Sequence, residues 1–244
     1  MDKEKVLGFD VLICDEKNLI NNIFKDYLSN EKLFIVNINP EIIINNYRKK
    51  EIIEIFNKQK YQIPDGNGVV WASKRKKGEI KKRITGIDLM LKICEESQKY
   101  ESKIYLYGGK EHVAEKAKNE LEKIYQNIKI IGTSNGYEQE ENVLEKIQTA
   151  NPDILFVGLG SPKQEKFIIK HMENLKNTKI FMPVGGSFDV ISKSKKRAPK
   201  WIIQIKLEWL YRLFQEPKRF FRQINLIKFI YLVLRDKERK KKNG

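Results

Sequence analysis

Three apolar runs in this chain, KIYLYGG, DILFVGLG and KIFMPVGG, each stop at glycine: Gly108-Gly109, Gly158 with Gly160, and Gly185-Gly186. A short run of β-branched, aromatic and aliphatic residues ending this way describes a buried strand that hands flexible backbone to the next element. LFIVNI and IKIIGT extend the series, and polar or amphipathic stretches long enough for crossover helices separate its members. That alternation is the α/β signature, in which parallel strands are joined by helices. Between KIYLYGG and IKIIGT, Val113, Ala117, Leu121 and Ile124 recur at three- to four-residue intervals, which predicts one apolar helix face. Open sheets of this class take ligands at the C-terminal ends of their strands. A single glycine pair is an ordinary turn, but three of them, Gly185 and Gly186 included, favour a site there.

The 244 residues, 41% of them hydrophobic, suffice for one full domain plus an appendage. Cys14 and Cys94 are the only cysteines, so neither a disulfide framework nor the clustered spacing of a zinc site is present. No signal peptide opens the sequence, and a reducing cytoplasm is the expected compartment.

The net charge of +16 is unevenly placed. Residues 193–244 hold 17 Lys and Arg against four acids, Glu208, Glu216, Asp236 and Glu238, whereas residues 1–192 hold 31 basic and 28 acidic side chains. The positive field therefore belongs to the C-terminal fifth, as suits nucleic acid or an anionic membrane surface. The chain accordingly divides into an α/β core, 1–192, and a basic amphipathic appendage, 193–244. Beyond Pro199, aromatics mix with Lys and Arg and no glycine precedes the terminus, which predicts two helices with Pro217 in the first turn of the second. From Phe220 to Leu234 the sequence is apolar but interrupted by Arg222, Gln223, Asn225 and Lys228. A spanning helix needs about 20 mostly apolar residues, so this segment is expected to lie on a membrane and not to cross it.

Three segments carry side chains with chemistry. In YQIPDGNGVVWASK, Asp65 sits between Pro64 and Gly66 on a tight turn that either presents the carboxylate to a ligand or is stabilised by it. In KKRITGIDLM, Arg83 precedes a helix start at Thr85-Gly86 with Asp88 in the first turn, a combination able to hold a phosphate. In NPDILFVGLGSPKQEKFI, a strand and a glycine turn lead to a helix beginning at Ser161-Pro162. Lys163, Gln164 and Glu165 are expected at its exposed tip, with Ser161 in a position to cap it. The amide of Gln164 is suited to hydrogen-bond a nucleotide or a sugar.

PDGNGVVWASK, RITGIDL, LYGGKEHVAEKA, NPDILFVGLGSPKQE, PVGGSFDVISKSKKRAPKW and LEWLYRLFQEPKRF stand in an order and at spacings that resemble the WecG/TagA/CpsF glycosyltransferase family over about residues 34–224. The TagA branch is the most similar. It initiates teichoic acid linkage units by adding N-acetylmannosamine to undecaprenyl-diphosphate N-acetylglucosamine. The resemblance implies an inverting transferase with an α/β, Rossmann-like core built on a mostly parallel sheet, with a UDP-N-acetylmannosamine-type donor at the strand ends and a polyprenyl-diphosphate-linked acceptor. It also implies a C-terminal appendage that completes the site at the inner face of the cell membrane. Within it, Asp65 corresponds to the proposed general base, and Arg83 and Gln164 to contacts with the donor or its leaving diphosphate. Arg212, Arg219 and Arg222 correspond to appendage arginines that approach the substrate phosphates. Asn37 in VNINPE stands where the family commonly has an active-site threonine. An asparagine there keeps the reaction class and puts the sugar specificity in question.

No Asp-x-Asp occurs in the sequence, so no cofactor and no metal is expected, and arginines and helix N-termini are left to neutralise the leaving UDP. UDP-N-acetylmannosamine uronic acid or another UDP-hexose remains an alternative donor, and a homo-oligomer is left open. Nucleic-acid binding, argued from the basic tail with Trp201, Trp209, Phe220 and Phe221 interleaved, leaves the glycine-ended strands and Asp65 without a purpose. A nicotinamide enzyme is disfavoured because GLGSPK supplies only the first two glycines of Gly-x-Gly-x-x-Gly.

Overall fold

A computed structural model describes residues 1–205, 207–215 and 220–242, with backbone alone at 200, 212, 220–223 and 237–242. The chain opens with an antiparallel hairpin, β1 (Lys3–Val6) and β2 (Phe9–Leu12), followed by α1 (Glu16–Leu28) and β3 (Leu33–Ile38). Next come α2 (Pro40–Asn46), α3 (Lys50–Asn57), β4 (Tyr61–Pro64), α4 (Asn67–Arg75) and α5 (Gly86–Ser97). Strands and helices then alternate as β5 (Lys103–Gly108), α6 (Val113–Ile124), β6 (Lys129–Ser134), α7 (Glu140–Ala150) and β7 (Ile154–Gly158). The core closes with α8 (Lys163–His171), β8 (Ile180–Pro183) and α9 (Ser187–Ile191). Among the described residues the C-terminal part holds α10 (Lys200–Gln204), α11 (Glu208–Gln215) and α12 (Phe220–Lys242).

The main sheet has strand order β4-β3-β8-β7-β5-β6, and every pairing in it is parallel. A parallel sheet with short crossovers must be covered on both faces, and its side chains alternate accordingly. In β7, Ile154 and Phe156 join the core that includes α1, α5, α6 and α9. Leu155 and Val157 join the opposite core, with α2, α3, α7, α8 and α12. Burial on both faces is why these strands read as continuous apolar runs in the sequence.

Helix α6 forms where the periodicity placed it, with Val113, Ala117 and Leu121 buried. Ile124, expected on the same face, is 60% exposed, because the helix ends there and Tyr125 turns the backbone extended. The C-terminal part does not stand apart from the sheet. Phe229 and Val233 of α12 are buried against α2 and α4. Lys228 Nζ lies 5.0 Å above the Tyr47 ring, and Asp236 pairs with Lys76. Burying a phenylalanine and a valine is worth about 1.5–3 kcal/mol each, enough to hold a helix whose isolated propensity is marginal. Among the described residues no helix is long and apolar enough to cross a membrane. The sequence positions Pro217 and Arg219 lie outside the described residues.

Candidate active site

The strands of a parallel sheet all end on one edge, and the loops leaving β3, β4, β5, β7 and β8 enclose a cleft of about 1150 Å³ there. Asn37, Asp65, Arg83, Gln164, Gly185 and Gly186 all line it, although they are spread over some 150 residues of sequence. The glycines at β5 and β7 make the edge possible. A Cβ on Gly108 would stand 2.4 Å from the Gly158 backbone, so the two strands could not approach as they do with any other residue.

Asp65 follows β4 directly. Its backbone N–H donates to Ile38 O at 2.8 Å, which continues the β3–β4 ladder one step and fixes where the side chain starts. Gly66 then takes φ +92°, a conformation that turns the chain into α4 and leaves the half-buried Asp65 at the cleft. Asn37, near the end of β3, donates from Nδ2 to Pro183 O at 2.9 Å and so ties β3 to β8. Its Oδ1 is buried and has no hydrogen-bond partner.

Arg83 occupies a place that sequence alone could not reveal. Its Nη2 donates to Glu208 Oε2 at 2.6 Å, with the side chains 19% and 7% exposed. Glu208 opens α11, so this ion pair joins the core side of the cleft to the C-terminal part. Glu208, Trp209 of α11 and Leu226 of α12 line the same cleft as Asp65. The backbone at Arg212 and Arg222 lies in α11 and α12, but their side chains, like all of Arg219, fall outside what is described.

Gln164 and Glu165 are buried, at 7% and 5% exposure, and do not form the exposed helix tip expected from SPKQE. The helix also begins later than expected, at Lys163, and Ser161 caps nothing. Gln164 Oε1 accepts from Gly160 N at 3.2 Å and from Gly185 N at 3.0 Å, while Nε2 donates to Glu165 Oε1 at 2.8 Å. One amide thereby clamps the loops after β7 and β8 together and orients the neighbouring carboxyl. Burial raises the Glu165 pKa above the usual carboxylate range, opposed by the hydrogen bond from Gln164. A buried, perturbed carboxyl in a cleft is a candidate functional position, and the sequence reading missed it by taking KQE for a solvated first turn.

The cleft wall carries charges of both signs. Helix α5 starts at it, with Thr85 Oγ1 accepting from Asp88 N at 3.2 Å, and the first turn of α8 lines it as well. The aligned peptide dipoles of these two helix starts favour negative charge beside them, where Lys163 and Lys166 add positive charge; Glu41, Glu138 and Glu140 line the wall too, and Lys195 is paired with Asp189 at 3.2 Å. Among the described residues, no group of three or more His, Cys, Asp and Glu side chains is placed to hold a metal ion.

Comparison with known proteins gives the family. The family described as glycosyl transferase WecG/TagA/CpsF matches residues 4–243. An N-acetylglucosaminyldiphosphoundecaprenol N-acetyl-beta-D-mannosaminyltransferase of Bacillus subtilis (strain 168) is 36% identical over 243 residues, covering 99% of this chain and 94% of the relative. A protein of the same name from Staphylococcus aureus (strain MRSA252) is 36% identical over 245 residues, covering 98% of this chain and 95% of the relative. With a matching family model along nearly its whole length and full-length relatives above 30% identity, this chain belongs to the WecG/TagA/CpsF family of glycosyl transferases.

Proposed function

We propose that the chain transfers N-acetylmannosamine from a UDP donor, with inversion, to a hydroxyl of N-acetylglucosamine carried on undecaprenyl diphosphate. The relatives' names describe a transfer to that acceptor, and they match this chain from end to end. The observation that carries the reading is the meeting of Asp65 and Arg83 in one cleft whose floor is glycine-rich and whose wall includes α11. Direct displacement at an anomeric carbon needs a base for the acceptor hydroxyl and positive charge for the departing diphosphate. Asp65 is the base in this account. Arg83, the lysines of the wall and the first turns of α5 and α8 receive the UDP.

The segment 193–244 acts in this account as a membrane-associating appendage. Ile224, Ile227, Tyr231 and Leu234 of α12 are exposed on the face opposite Phe229 and Val233. An apolar stripe beside basic residues binds an anionic lipid interface without spanning it. Such a docking brings the cleft to the surface where a lipid-diphosphate acceptor is presented, and Arg212, Arg219 and Arg222 of this segment are, in this account, the arginines that meet the substrate phosphates. Mass spectrometry of the product made by the purified chain from a panel of UDP-sugars and a short-chain polyprenyl-diphosphate acceptor tests the assignment. A flotation assay with anionic vesicles against nucleic acid tests the choice of surface.

A further inference from the structure

A buried polar atom without a partner costs free energy, so native folds keep few of them, and those they keep call for an explanation. Among the described residues six side-chain atoms are in this state, and three of them, Asn37 Oδ1, Ser161 Oγ and Glu165 Oε2, belong to residues that line the cleft. The other three, on Gln62, His171 and Arg197, belong to residues outside its lining. Asn37 already has a candidate role, as the counterpart of the family's active-site threonine. Ser161 and Glu165 have none, although they sit together, Ser161 on the connection from β7 and Glu165 in the first turn of α8.

Their geometry is that of a prepared site. Glu165 cannot swing out to find water, because Oε1 is held by Gln164 Nε2 at 2.8 Å, and Gln164 is itself held by the N–H groups of Gly160 and Gly185. One carboxyl oxygen is thus committed to the scaffold and the other is left over. The Ser161 hydroxyl lies near enough to the same carboxyl to favour its ionised form, yet it makes no hydrogen bond of good geometry. A group that completes both atoms donates to the carboxyl when it is ionised or accepts from it when it is protonated, and meets the Ser161 hydroxyl in either role. A sugar hydroxyl does both, whichever way the two protein groups are protonated. A phosphate oxygen only accepts, and a buried carboxyl beside Glu41 is a poor neighbour for it.

We propose that Ser161 and Glu165 form a hydroxyl-recognition subsite for a sugar ring, and that they are specificity-determining residues for the transfer reaction. This rests on the transferase reading above. The shared chemistry is one hydroxyl held between Ser161 Oγ and Glu165 Oε2. It belongs either to the donor sugar or to the acceptor sugar, and the experiment separates the two.

The test measures kcat/KM of the full chain with each monodeoxy form of the UDP-sugar and, separately, of the acceptor sugar. Wild type is compared with Glu165→Ala, Glu165→Gln and Ser161→Ala. In wild type, one deoxy substrate should be poorer than its parent by roughly 10- to 100-fold, the cost of leaving the buried pair unpaired. In Glu165→Ala that one penalty should vanish while the penalties of the other deoxy forms persist, and Glu165→Gln should keep part of it. The substrate whose penalty vanishes identifies the hydroxyl and its source. A merely structural loss lowers all substrates equally. If every deoxy penalty is the same in Glu165→Ala as in wild type, or if Glu165→Ala misfolds and Ser161→Ala leaves all penalties unchanged, the subsite does not exist and Glu165 only braces Gln164. If wild type transfers a sugar other than N-acetylmannosamine, the same series is run on that sugar. If wild type transfers none, the transferase reading fails first and this inference falls with it.

Discussion

Arg83 and Glu208, 125 residues apart in sequence, meet at 2.6 Å across the cleft, and both side chains are largely withdrawn from water. A pair in such a place contributes little net stability over an apolar substitute, but removing one partner strands the other charge. We therefore predict that Glu208→Ala destabilises the chain by about 3 kcal/mol in thermal or denaturant unfolding. The double variant Arg83→Met, Glu208→Leu should recover most of that loss while leaving turnover low, since the guanidinium is then missing from the cleft. Recovery of both stability and turnover would show that the pair is structural only.

Asp65 separates binding from chemistry. If it takes the acceptor proton, Asp65→Asn keeps the shape of the turn before Gly66 and loses the base. Affinity for the UDP-sugar, read by calorimetry, should stay within a few-fold, and turnover should fall by roughly 10² or more. Parallel loss of affinity and turnover would mark the aspartate as a turn residue.

Substitution of Arg212, Arg219 and Arg222 together by Ala should leave much of the binding to anionic vesicles, because each remaining lysine of the appendage contributes about 1 kcal/mol at the surface. Turnover should fall at least roughly tenfold, since a charge-assisted contact to a developing phosphate charge is worth about 1.5–3 kcal/mol. Truncation after Ser192 should abolish both and also expose the apolar surface that Phe229 and Val233 cover. Unchanged turnover of the triple variant on a water-soluble acceptor would restrict these arginines to lipid contact.

The sequence carries no Asp-x-Asp, and the cleft is lined by Arg83, lysines and helix N-termini, which in this account receive the leaving diphosphate. Activity is therefore expected to persist in excess EDTA. Loss with chelator and rescue by magnesium or manganese would contradict that mechanism.

Glu165 should leave a mark on the pH dependence of stability. Its folded pKa is raised, with burial as the main cause, opposed by the Gln164 hydrogen bond and reinforced by the nearby Glu41. A raised carboxyl pKa means that the folded state holds the proton more tightly than the unfolded state. Stability is then lost as pH rises from the unfolded value, about 4.3, through the folded one. Glu165→Gln removes this dependence, so the variant should gain stability relative to wild type as pH rises across that window. A difference that does not change with pH would show the carboxyl to be solvated.

Much of the fold was legible in the sequence, and the exceptions have physical causes. Strands β3, β5, β6, β7 and β8 announced themselves because a sheet covered on both faces demands apolar runs. Strand β4 did not, since YQIP is four residues long and holds the polar Gln62, which is buried and donates to Phe56 O at 2.5 Å. The β1–β2 hairpin also escaped, because KEKV and FDVL are short and partly polar and are joined by Leu7-Gly8, both at positive φ, without an Asn-Gly signal. In the cleft, Asp65 and the glycines were visible through their turn chemistry. Arg83 lines the cleft, but no local rule reveals that its partner is Glu208. Nor does any local rule bury KQE, whose environment is set by packing from distant elements.

The most direct test of the account is the anomeric configuration of the product formed by the purified chain from UDP-N-acetylmannosamine and a short-chain polyprenyl-diphosphate N-acetylglucosamine. Proton NMR of that product should show one added N-acetylmannosamine in β linkage, inverted from the α-linked donor, with release of UDP. An α linkage, or no transfer from any UDP-sugar of the panel, would contradict single displacement with Asp65 as the base.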